Sequence, residues 1–287
     1  MNADVQAHWL PFDRYLDAIE RESRRFRECL ADADPDLRVP SCPDWSAEDL
    51  LWHLGGDVQH FWAWVIAQRP EGPESYPEPH RPDGHAGVLA FYDQAHEDLL
   101  LRLRNADPAD GAWSWSADPR LHTVGFTMRR QAHEALVHRV DAELTVGART
   151  PLDPVLAADG VLECLDVMYG SHPRWGRFTP DGTRVVVELT DVGRRLLVGL
   201  GRFAGRDPRS GEVVDVDDLA VLDPALHEHT GAADVTVRGS AEQVDLWLWH
   251  RGIEDALAVD GDEDALAVDG DEGVHERLVA ILGAPIG

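Results

Sequence analysis

The hydrophobic spacing of this chain changes period near residue 150, and that change limits the folds available to it. Before that point, apolar side chains recur every three or four residues, as in amphipathic helices. Loops rich in proline and aspartate separate the helical stretches. Four such helices with one or two long crossovers predict an N-terminal all-α four-helix bundle over residues 1–150. The predicted helices span about residues 9–31, 46–68, 88–104 and 127–146.

Beyond that point the pattern mixes helix and strand. Residues 151–171 are predicted to form a linker helix between the two halves. Two β-rich runs flank an Asp-Val-Gly turn, and a third, alternating run leads into a capping box and an apolar helix. The three runs are residues 184–190, 195–200 and 234–238. We therefore expect residues 172–287 to fold as a smaller α+β domain.

Charge and composition exclude several classes of function. The chain has 287 residues, and its 26 basic and 53 acidic residues give a formal net charge of −27. Every basic residue is arginine, so chemistry that needs lysine, such as a Schiff base or a phosphate-loop lysine, is excluded. A surface this acidic repels phosphate groups. We therefore expect no nucleic-acid partner and no membrane partner.

The cysteines and the N-terminus bear on the compartment. The three cysteines lie far apart without a C-x-x-C pair, so neither a disulfide framework nor an all-thiolate zinc site is expected. The N-terminus lacks the apolar core of a signal peptide, and polar residues interrupt the most apolar stretch, residues 50–67. These patterns predict a cytoplasmic protein. A monomer is expected over a homodimer, because no long uncovered apolar stripe is evident.

A nine-residue segment occurs twice in succession. The sequence EDALAVDGD at residues 254–262 recurs unchanged at residues 263–271. Its alternating aspartates resemble the start of a calcium loop, but Ala265 stands where such a loop needs glycine. We interpret residues 254–271 as a tandem duplication of one strand and turn, tolerated at the surface. The second copy is expected to form a bulge, an extra hairpin arm or a disordered loop.

The fourth predicted helix carries candidate metal ligands. Its segment HEALVH resembles the zinc motif H-E-x-x-H with one residue too many, which puts His133 and His138 about 140° apart on a helix. Glu134 and His138 are four residues apart and only about 40° apart, so they share a face. Such a pair is more often solvated than metal-binding. The segment alone leaves both interpretations open.

A third candidate ligand, His53, lies on or near the apolar face of the second predicted helix. A histidine there is commonly a hydrogen-bonded core residue, but inward polar groups on facing helices also build metal sites in bundles. Together with Glu134 and His138 it would supply three protein ligands and leave a fourth position open, as in catalytic zinc sites. Asp57 and His60 lie on the same side and are interpreted as supporting or structural residues.

Several segments resemble one known family. The runs VPSCPDWS, which begins at Val39, and DLLWHLG, which begins at Asp49, resemble the N-terminal signature of mycothiol-dependent maleylpyruvate isomerase-like proteins. Segments of the fourth helix, the linker helix and the C-terminal half are similar to the same family; they are residues 130–143, 158–163 and 235–251. The resemblance implies a DinB-like metal-binding four-helix bundle followed by a sterol-carrier-like C-terminal domain.

The resemblance also implies a function. It implies a divalent metal, usually Zn²⁺, held by His53, Glu134 and His138, with mycothiol as co-substrate and its sulfur bound to the metal as a thiolate. The thiolate would attack a small electrophilic substrate, as a thiol S-transferase or a maleylpyruvate-type cis–trans isomerase does. Because the chain has no lysine, arginine must recognise an anionic substrate. Arg251 matches a family arginine near the site and is the expected catalytic residue, with a surface ion pair as the alternative.

The sequence leaves other interpretations open. Arg129 and Arg130 are further candidates for substrate recognition, although exposed pairing with the acidic surface explains them equally well. The chain could also be a non-catalytic metal- or lipid-binding module, or a metal sensor that changes partners when loaded. An open fourth metal position favours catalysis over both. The duplication lies just beyond Arg251, where it could reshape the substrate side.

Overall fold

The chain divides into two compact units. The computed structural model describes residues 6–223, 225, 233–251 and 266–284. One unit comprises Leu10–Thr150, and the other comprises the residues from Pro151 onward together with the N-terminal residues up to Trp9. The first unit is helical and the second contains a sheet, which confirms the predicted order of the two fold classes. Among the described helices, none has the length and apolar character that a membrane span requires.

The helical unit is built from five α-helices, a π-helical segment and a short hairpin. In chain order its elements are α1 (Phe12–Leu30), β1 (Arg38–Val39), β2 (Cys42–Ser46), α2 (Ala47–Trp52), the π-helical segment (His53–His60), α3 (Phe61–Gln68), α4 (His85–Arg104) and α5 (Val124–Val146). Short 3₁₀ turns at Pro73–Ser75 and Pro119–Leu121 lie in the two longest connections. The strands β1 and β2 are antiparallel.

The central helix of this unit is α5. Every residue from Val124 to Glu143 except Glu134 is buried. Its neighbour α1 turns an apolar stripe inward, on which Tyr15, Ile19 and Phe26 are fully buried, and the two helices are in contact along their length. Because α5 is enclosed on all sides, its polar side chains must be satisfied inside the unit.

The second predicted helix, residues 46–68, is continuous but not α-helical throughout. Between α2 and α3, residues His53–His60 form a π-helix, in which each N–H bonds to a carbonyl five residues earlier. The segment packs against α4, where a Cβ at Gly55 would approach the Tyr92 backbone to 3.1 Å. A π-helical turn inside an α-helix is frequently found at a functional site.

The sheet-containing unit consists of one five-stranded sheet, with helical segments before, between and after its strands. Its elements are α6 (Pro154–Glu163), a second π-helical segment (Cys164–Tyr169), β3 (Gly176–Leu189), β4 (Arg194–Arg206), β5 (Val213–Asp223), β6 (Val235–Gly239), α7 (Ala241–Leu248), β7 (Ala267–Gly270) and α8 (Glu272–Leu282). The strand order is β5-β4-β3-β6-β7. Pairing is antiparallel except between β3 and β6, which run parallel.

The predicted hairpin of this unit is present as β3 and β4, and both strands extend beyond the predicted runs. Gly193 in the connecting turn has φ 63°, a left-handed conformation that glycine adopts without steric cost. Leu196, Val198 and Leu200 alternate along β4 and are fully buried, so this strand contributes one face to the core.

Two parts of the sheet differ from the sequence analysis. The strand β5 is not predicted, because aspartates interrupt its apolar pattern; in the structure Asp215 pairs with Arg202 of β4 at 2.8 Å. The first copy of the duplication, residues 254–262, lies outside the described residues, as do residues 263–265. The rest of the second copy supplies β7, which pairs with β6.

Candidate metal centre

A capping box sets the start of the helix that carries His53. The Ser46 hydroxyl accepts a bond from the Asp49 N–H at 3.1 Å, and the Asp49 carboxylate accepts one from the Ser46 N–H at 3.0 Å. A bond from Arg81, and then those from Ser46, lower the pKa of Asp49 to about 2. This capping box therefore marks the start of α2 directly after Ser46. His53 follows one turn later, as the first residue of the π-helical segment.

The structure brings the three predicted ligands together. One ligand atom from each of His53, Glu134 and His138 lies within 4.8 Å of the others. Glu134 Oε2 and His138 Nε2 are 3.3 Å apart across one turn of α5. The rings of His53 and His138 meet edge to face, with centroids 4.9 Å apart. The side chains of His53 and Glu134 are 28% and 25% exposed, so the group is open to solvent on one side.

A buried carboxylate fixes the ring of His138. Its Nδ1 lies 2.9 Å from Oδ2 of Asp141, and the other oxygen of Asp141 accepts a 2.5 Å bond from the Ser41 hydroxyl. When Nδ1–H is donated to Asp141, the Nε2 lone pair is left for the side that faces Glu134. Burial alone would lower the pKa of His138, but hydrogen bonds to Asp141 and Glu134 outweigh burial and raise it.

Arg130 keeps Glu134 in its charged form. The Arg130 side chain, one turn earlier on α5, is buried, and its Nε lies 3.3 Å from Oε1 of Glu134. Burial alone would raise the pKa of Glu134, but the charge of Arg130 and the bond to His138 outweigh it and hold that pKa far below its usual range. Glu134 therefore shares Oε1 with Arg130 and turns Oε2 toward His138.

Two neighbours hold His53. The Oδ2 atom of Asp57, one turn further along the π-helical segment, lies 3.4 Å from His53 Nδ1. The indole of Trp45 packs against the imidazole of His53, with the two ring centroids 4.7 Å apart. Trp45 belongs to β2, so His53 is contacted by the hairpin as well as by its own helix.

This donor set fits a divalent ion. Two imidazoles and one carboxylate are ligands that Zn²⁺ accepts, and they leave a fourth position for an external ligand. A tetrahedral ion with bonds of about 2.1 Å separates its ligand atoms by about 3.4 Å, and Glu134 Oε2 and His138 Nε2 are already 3.3 Å apart. Nitrogen and oxygen donors accept several divalent ions, so the donor set does not select zinc among them.

The remaining candidate histidines lie outside the group. His133 faces α1, where its ring meets that of Tyr15 edge-on with centroids 6.3 Å apart, as the helical angle between it and His138 predicts. His60 has its Nδ1 2.6 Å from the Tyr76 hydroxyl, and burial lowers the pKa of His60. Within the described residues, neither histidine belongs to the set that could hold one ion.

The arginines differ from the sequence analysis. The interpretation of Arg129 and Arg130 as exposed partners of the acidic surface is wrong, because both side chains are buried. Arg251 lies in the sheet-containing unit, just after α7. Its guanidinium carbon is 6.0 Å from the Trp249 ring, and its backbone N–H donates to the Leu246 carbonyl. The catalytic role of Arg251 stays a prediction.

Three residues that contact the candidate ligands directly or through one intermediate have no role predicted from the sequence. Asp141 lies three residues after His138, so helical spacing alone could have suggested the contact. Ser41 reaches Asp141 across 100 residues of sequence, and Trp45 reaches His53 from a hairpin that the helical pattern does not reveal. Ser41 and Trp45 both lie in the family-like run that begins at Val39, but the sequence of that run does not predict their contacts.

Two family models match the chain. The model of the mycothiol maleylpyruvate isomerase N-terminal domain matches residues 16–143. The model of the C-terminal domain of the same family matches residues 155–277. Together they span most of the sequence in the order of the two units. The chain belongs to the mycothiol-dependent maleylpyruvate isomerase-like family.

Solved structures agree on the fold. The chain is similar to the crystal structure of the mycothiol-dependent maleylpyruvate isomerase, with a TM-score of 0.51, and to a mutant of it with one histidine replaced by alanine, with a TM-score of 0.53. In both cases the identity is 13%, and the match covers 91% of this chain and 94% of the other. At that identity the similarity concerns the fold. No curated protein sequence matches the chain.

Proposed function

We propose that this chain is a metal-dependent enzyme that uses mycothiol to attack a small electrophilic substrate. The activity is that of a maleylpyruvate-type cis–trans isomerase or of a thiol S-transferase. His53, Glu134 and His138 are assigned as ligands of a divalent ion, with Zn²⁺ as the first candidate. The observation that carries the proposal is the approach of these three donors to within 4.8 Å, in a chain of a family named for a mycothiol-dependent isomerase.

A divalent ion in this position would lower the pKa of a coordinated thiol and so supply a thiolate near neutral pH. The chain's own residues prepare the position for it. Asp141 orients His138 through Nδ1, which leaves Nε2 available as a ligand. Arg130 holds Glu134 ionised, as a carboxylate ligand must be. The exposed edges of His53 and Glu134 give thiol and substrate a path to the group.

The two activities share the attack and differ in the fate of the adduct. In isomerisation, the thiolate adds to an activated carbon–carbon double bond, the new single bond rotates, and elimination restores the thiolate and releases the trans product. In transfer, the sulfur stays bonded to the substrate, which gains a proton after addition or loses a leaving group after displacement. The family name supports the first, and the same nucleophile serves both.

Arg251 is proposed as the residue that recognises a carboxylate of the substrate. A planar guanidinium pairs with a carboxylate through two parallel hydrogen bonds. The chain contains no lysine that could take this role instead.

Finer features of the fold and setting belong to the same proposal. The helical unit is proposed to be a DinB-like four-helix bundle, with α1, the helix over 47–68, α4 and α5 as its four helices, and the other unit to be sterol-carrier-like. The proposed boundaries are 1–150, 151–171 for the linker helix, and 172–287. We further propose that the protein is cytoplasmic and monomeric, and that its partners are mycothiol and a small electrophile. A non-catalytic metal- or lipid-binding module is the alternative.

Metal content tests the proposal first. The purified parent protein is expected to contain about one divalent ion per chain by mass spectrometry, and His53→Ala is expected to lose it. His60→Ala is the matched control, because His60 lies in the same π-helical segment but outside the ligand group. A metal-free parent that cannot be reloaded would contradict the metal-dependent mechanism and favour the binding module.

Activity then separates the two reactions. The loaded protein is incubated with mycothiol and maleylpyruvate, and separately with mycothiol and an aryl halide. Cis–trans conversion without consumption of thiol identifies an isomerase, and consumption of thiol with halide release identifies a transferase. A metal-loaded protein that catalyses neither reaction in the presence of mycothiol would overturn the enzymatic proposal.

A further inference from the structure

The hairpin of β1 and β2 is anchored next to the candidate metal centre. Val39 pairs with Cys42, so Pro40 and Ser41 form the two-residue connection between the strands. Val39 is fully buried, and β1 contacts both α2 and α5. The other end of the hairpin runs directly into the capping box at Ser46. Both ends are therefore fixed, although most of the hairpin side chains are partly or fully exposed.

The turn of the hairpin reaches His138 through one intermediate. The Ser41 hydroxyl donates to Oδ1 of Asp141, and Oδ2 of Asp141 holds Nδ1 of His138. A carboxylate on a single bond to its Cβ can rotate about that bond, and a bond to its second oxygen opposes the rotation. Ser41 thus limits the orientations that Asp141, and with it His138, can adopt.

The second strand of the hairpin reaches His53 directly. The Trp45 indole lies against the imidazole with centroids 4.7 Å apart and planes inclined at 48°. A second aromatic neighbour of His53 is the other ligand imidazole, that of His138, at 4.9 Å. The ring of His53 is therefore in contact with both an aromatic side chain of the hairpin and its fellow ligand.

We propose that the hairpin Arg38–Ser46 is a clamp that orients both histidine ligands, with Ser41 acting on His138 through Asp141 and Trp45 acting on His53 directly. Ser41 and Trp45 are positioning residues: neither supplies an atom to the ion. This inference rests on the proposed function, since a clamp on two ligands matters only where an ion is bound.

The physical reason is preorganisation. A free histidine side chain samples several rotamers and two tautomers, and each alternative must be given up when an ion binds. Partners behind a metal ligand remove those alternatives beforehand, and their loss typically costs about 10–100-fold in metal affinity. Residues one contact further away, or in contact only through packing, are expected to cost less than that.

Metal affinity of single variants tests the clamp. Zinc dissociation constants are measured by competition with a chromophoric chelator. We expect Ser41→Ala and Trp45→Leu each to weaken binding about 3- to 10-fold and Asp141→Asn to weaken it about 10- to 100-fold. Ser41→Thr retains the hydroxyl and is expected to bind like the parent. Ser114→Ala and Trp115→Leu are matched controls from the same unit, remote in sequence from the hairpin, and are expected to bind like the parent.

A second readout does not use the ion at all. In the metal-free protein at alkaline pH, nitrogen NMR shifts report which ring nitrogen of His138 carries the proton. We expect the Nδ1–H form in the parent and in Ser41→Thr, and admixture of the Nε2–H form in Ser41→Ala and Asp141→Asn. This readout also separates loss of orientation from loss of folding, because unfolded variants show the shifts of free histidine at every position.

Failure of the clamp and failure of the proposed function look different. A parent that binds zinc while Ser41→Ala and Trp45→Leu bind as tightly as the Ser114 and Trp115 controls overturns the clamp and leaves the function standing. An Nε2–H form of His138 in the parent also overturns it. A parent that binds no divalent ion overturns the proposed function and the clamp together.

Discussion

The helix α5 carries one glutamate near its middle and another near its C-terminal end, and the two have opposite surroundings. Glu143, near the C-terminal end, is fully buried and accepts hydrogen bonds on both oxygens from Arg25, Arg139, Arg149 and Thr150. Glu134, nine residues earlier, is a quarter exposed, and Arg130 and His138 each lie 3.3 Å from one of its oxygens.

This difference separates a closed cluster from an open group on one helix. The Glu143 cluster is closed: its shortest bonds, 2.6 Å from the Thr150 hydroxyl and 2.9 Å from Arg25, join α5 to the chain just after it and to α1. Around Glu134 the contacts are longer and one side is open to solvent. A closed cluster resists exchange of partners, whereas an open group can accept a ligand. The charge of Glu143 therefore serves packing, and that of Glu134 is available for the proposed metal binding.

The largest expected effect is on stability at the closed Glu143 cluster. Glu143→Gln removes the buried carboxylate that Arg25, Arg139 and Arg149 share and is expected to lower the free energy of unfolding by about 3–5 kcal/mol, although Arg139 keeps Glu22 as a partner at 2.9 Å. Urea denaturation measures it. Glu134→Gln is the matched control and, with metal removed by a chelator, is expected to cost less than Glu143→Gln, because Glu134 is a quarter exposed and lies 3.3 Å from Arg130. Equal losses in the two variants would abolish the distinction between the two glutamates.

For metal affinity, in contrast to stability, the larger effect is expected from Glu134→Gln. Glu134→Gln removes the charge of a proposed ligand and is expected to weaken zinc affinity at least about 100-fold, which corresponds to about 2.7 kcal/mol. Glu143→Gln, measured by the same chelator competition, is expected to stay within about 3-fold of the parent. A Glu143 variant that loses metal as readily as the Glu134 variant would show that the two clusters act as one.

Acid sensitivity sharpens the comparison further. Burial alone would raise the pKa of Glu143, but hydrogen bonds from Thr150 and Arg25 outweigh it and lower that pKa. A carboxyl with a lower pKa in the folded state stabilises the fold above its unfolded value, about 4.3, and loses this contribution as pH falls through the folded pKa. The stability gap between parent and Glu143→Gln is therefore expected to close as pH falls below about 4. Urea midpoints at pH 7, 5, 4 and 3 measure it, and a constant gap would contradict the assigned role.

The smallest effect is expected outside α5. Because the two copies of EDALAVDGD are identical, deletion of residues 254–262 leaves the whole sequence of β7 and its flanks in place. We expect a change in unfolding free energy below about 1 kcal/mol, within the range that loop-length changes produce, and unchanged zinc affinity. Destabilisation comparable to that of Glu143→Gln would show that the additional copy contributes to the fold.

Local patterns predicted much of the fold. Helical periodicity located α1, α4 and α5 to within a few residues, and the capping boxes at Ser46 and Ser240 mark the starts of α2 and α7. These features depend on neighbours in sequence, which is why they can be read from sequence. The edge strand β5 could not be predicted in this way, because its aspartates form ion pairs with arginines of other elements, such as Arg202 and Arg277.

In the candidate site, too, the features set by local spacing could be predicted and the long-range contacts could not. Spacing on one helix paired Glu134 with His138, and the apolar face of another helix selected His53. Their supporting partners are long-range: Ser41 meets Asp141 only because the hairpin folds onto α5. The burial of Arg130 could not be predicted from the sequence either, because an arginine on a helix is exposed far more often than it is buried.

The π-helical segment from His53 to His60 makes this helix tolerant of the loss of one residue. A π-turn accommodates one more residue than an α-turn, so removal of a single residue between these histidines would let the helix wind regularly. Seven steps at the roughly 85° of a π-helix and six steps at the roughly 100° of an α-helix turn the chain through nearly the same angle, so His53 would keep its direction relative to α3. A relative that lost one residue there could therefore keep both the architecture and the direction of its first histidine.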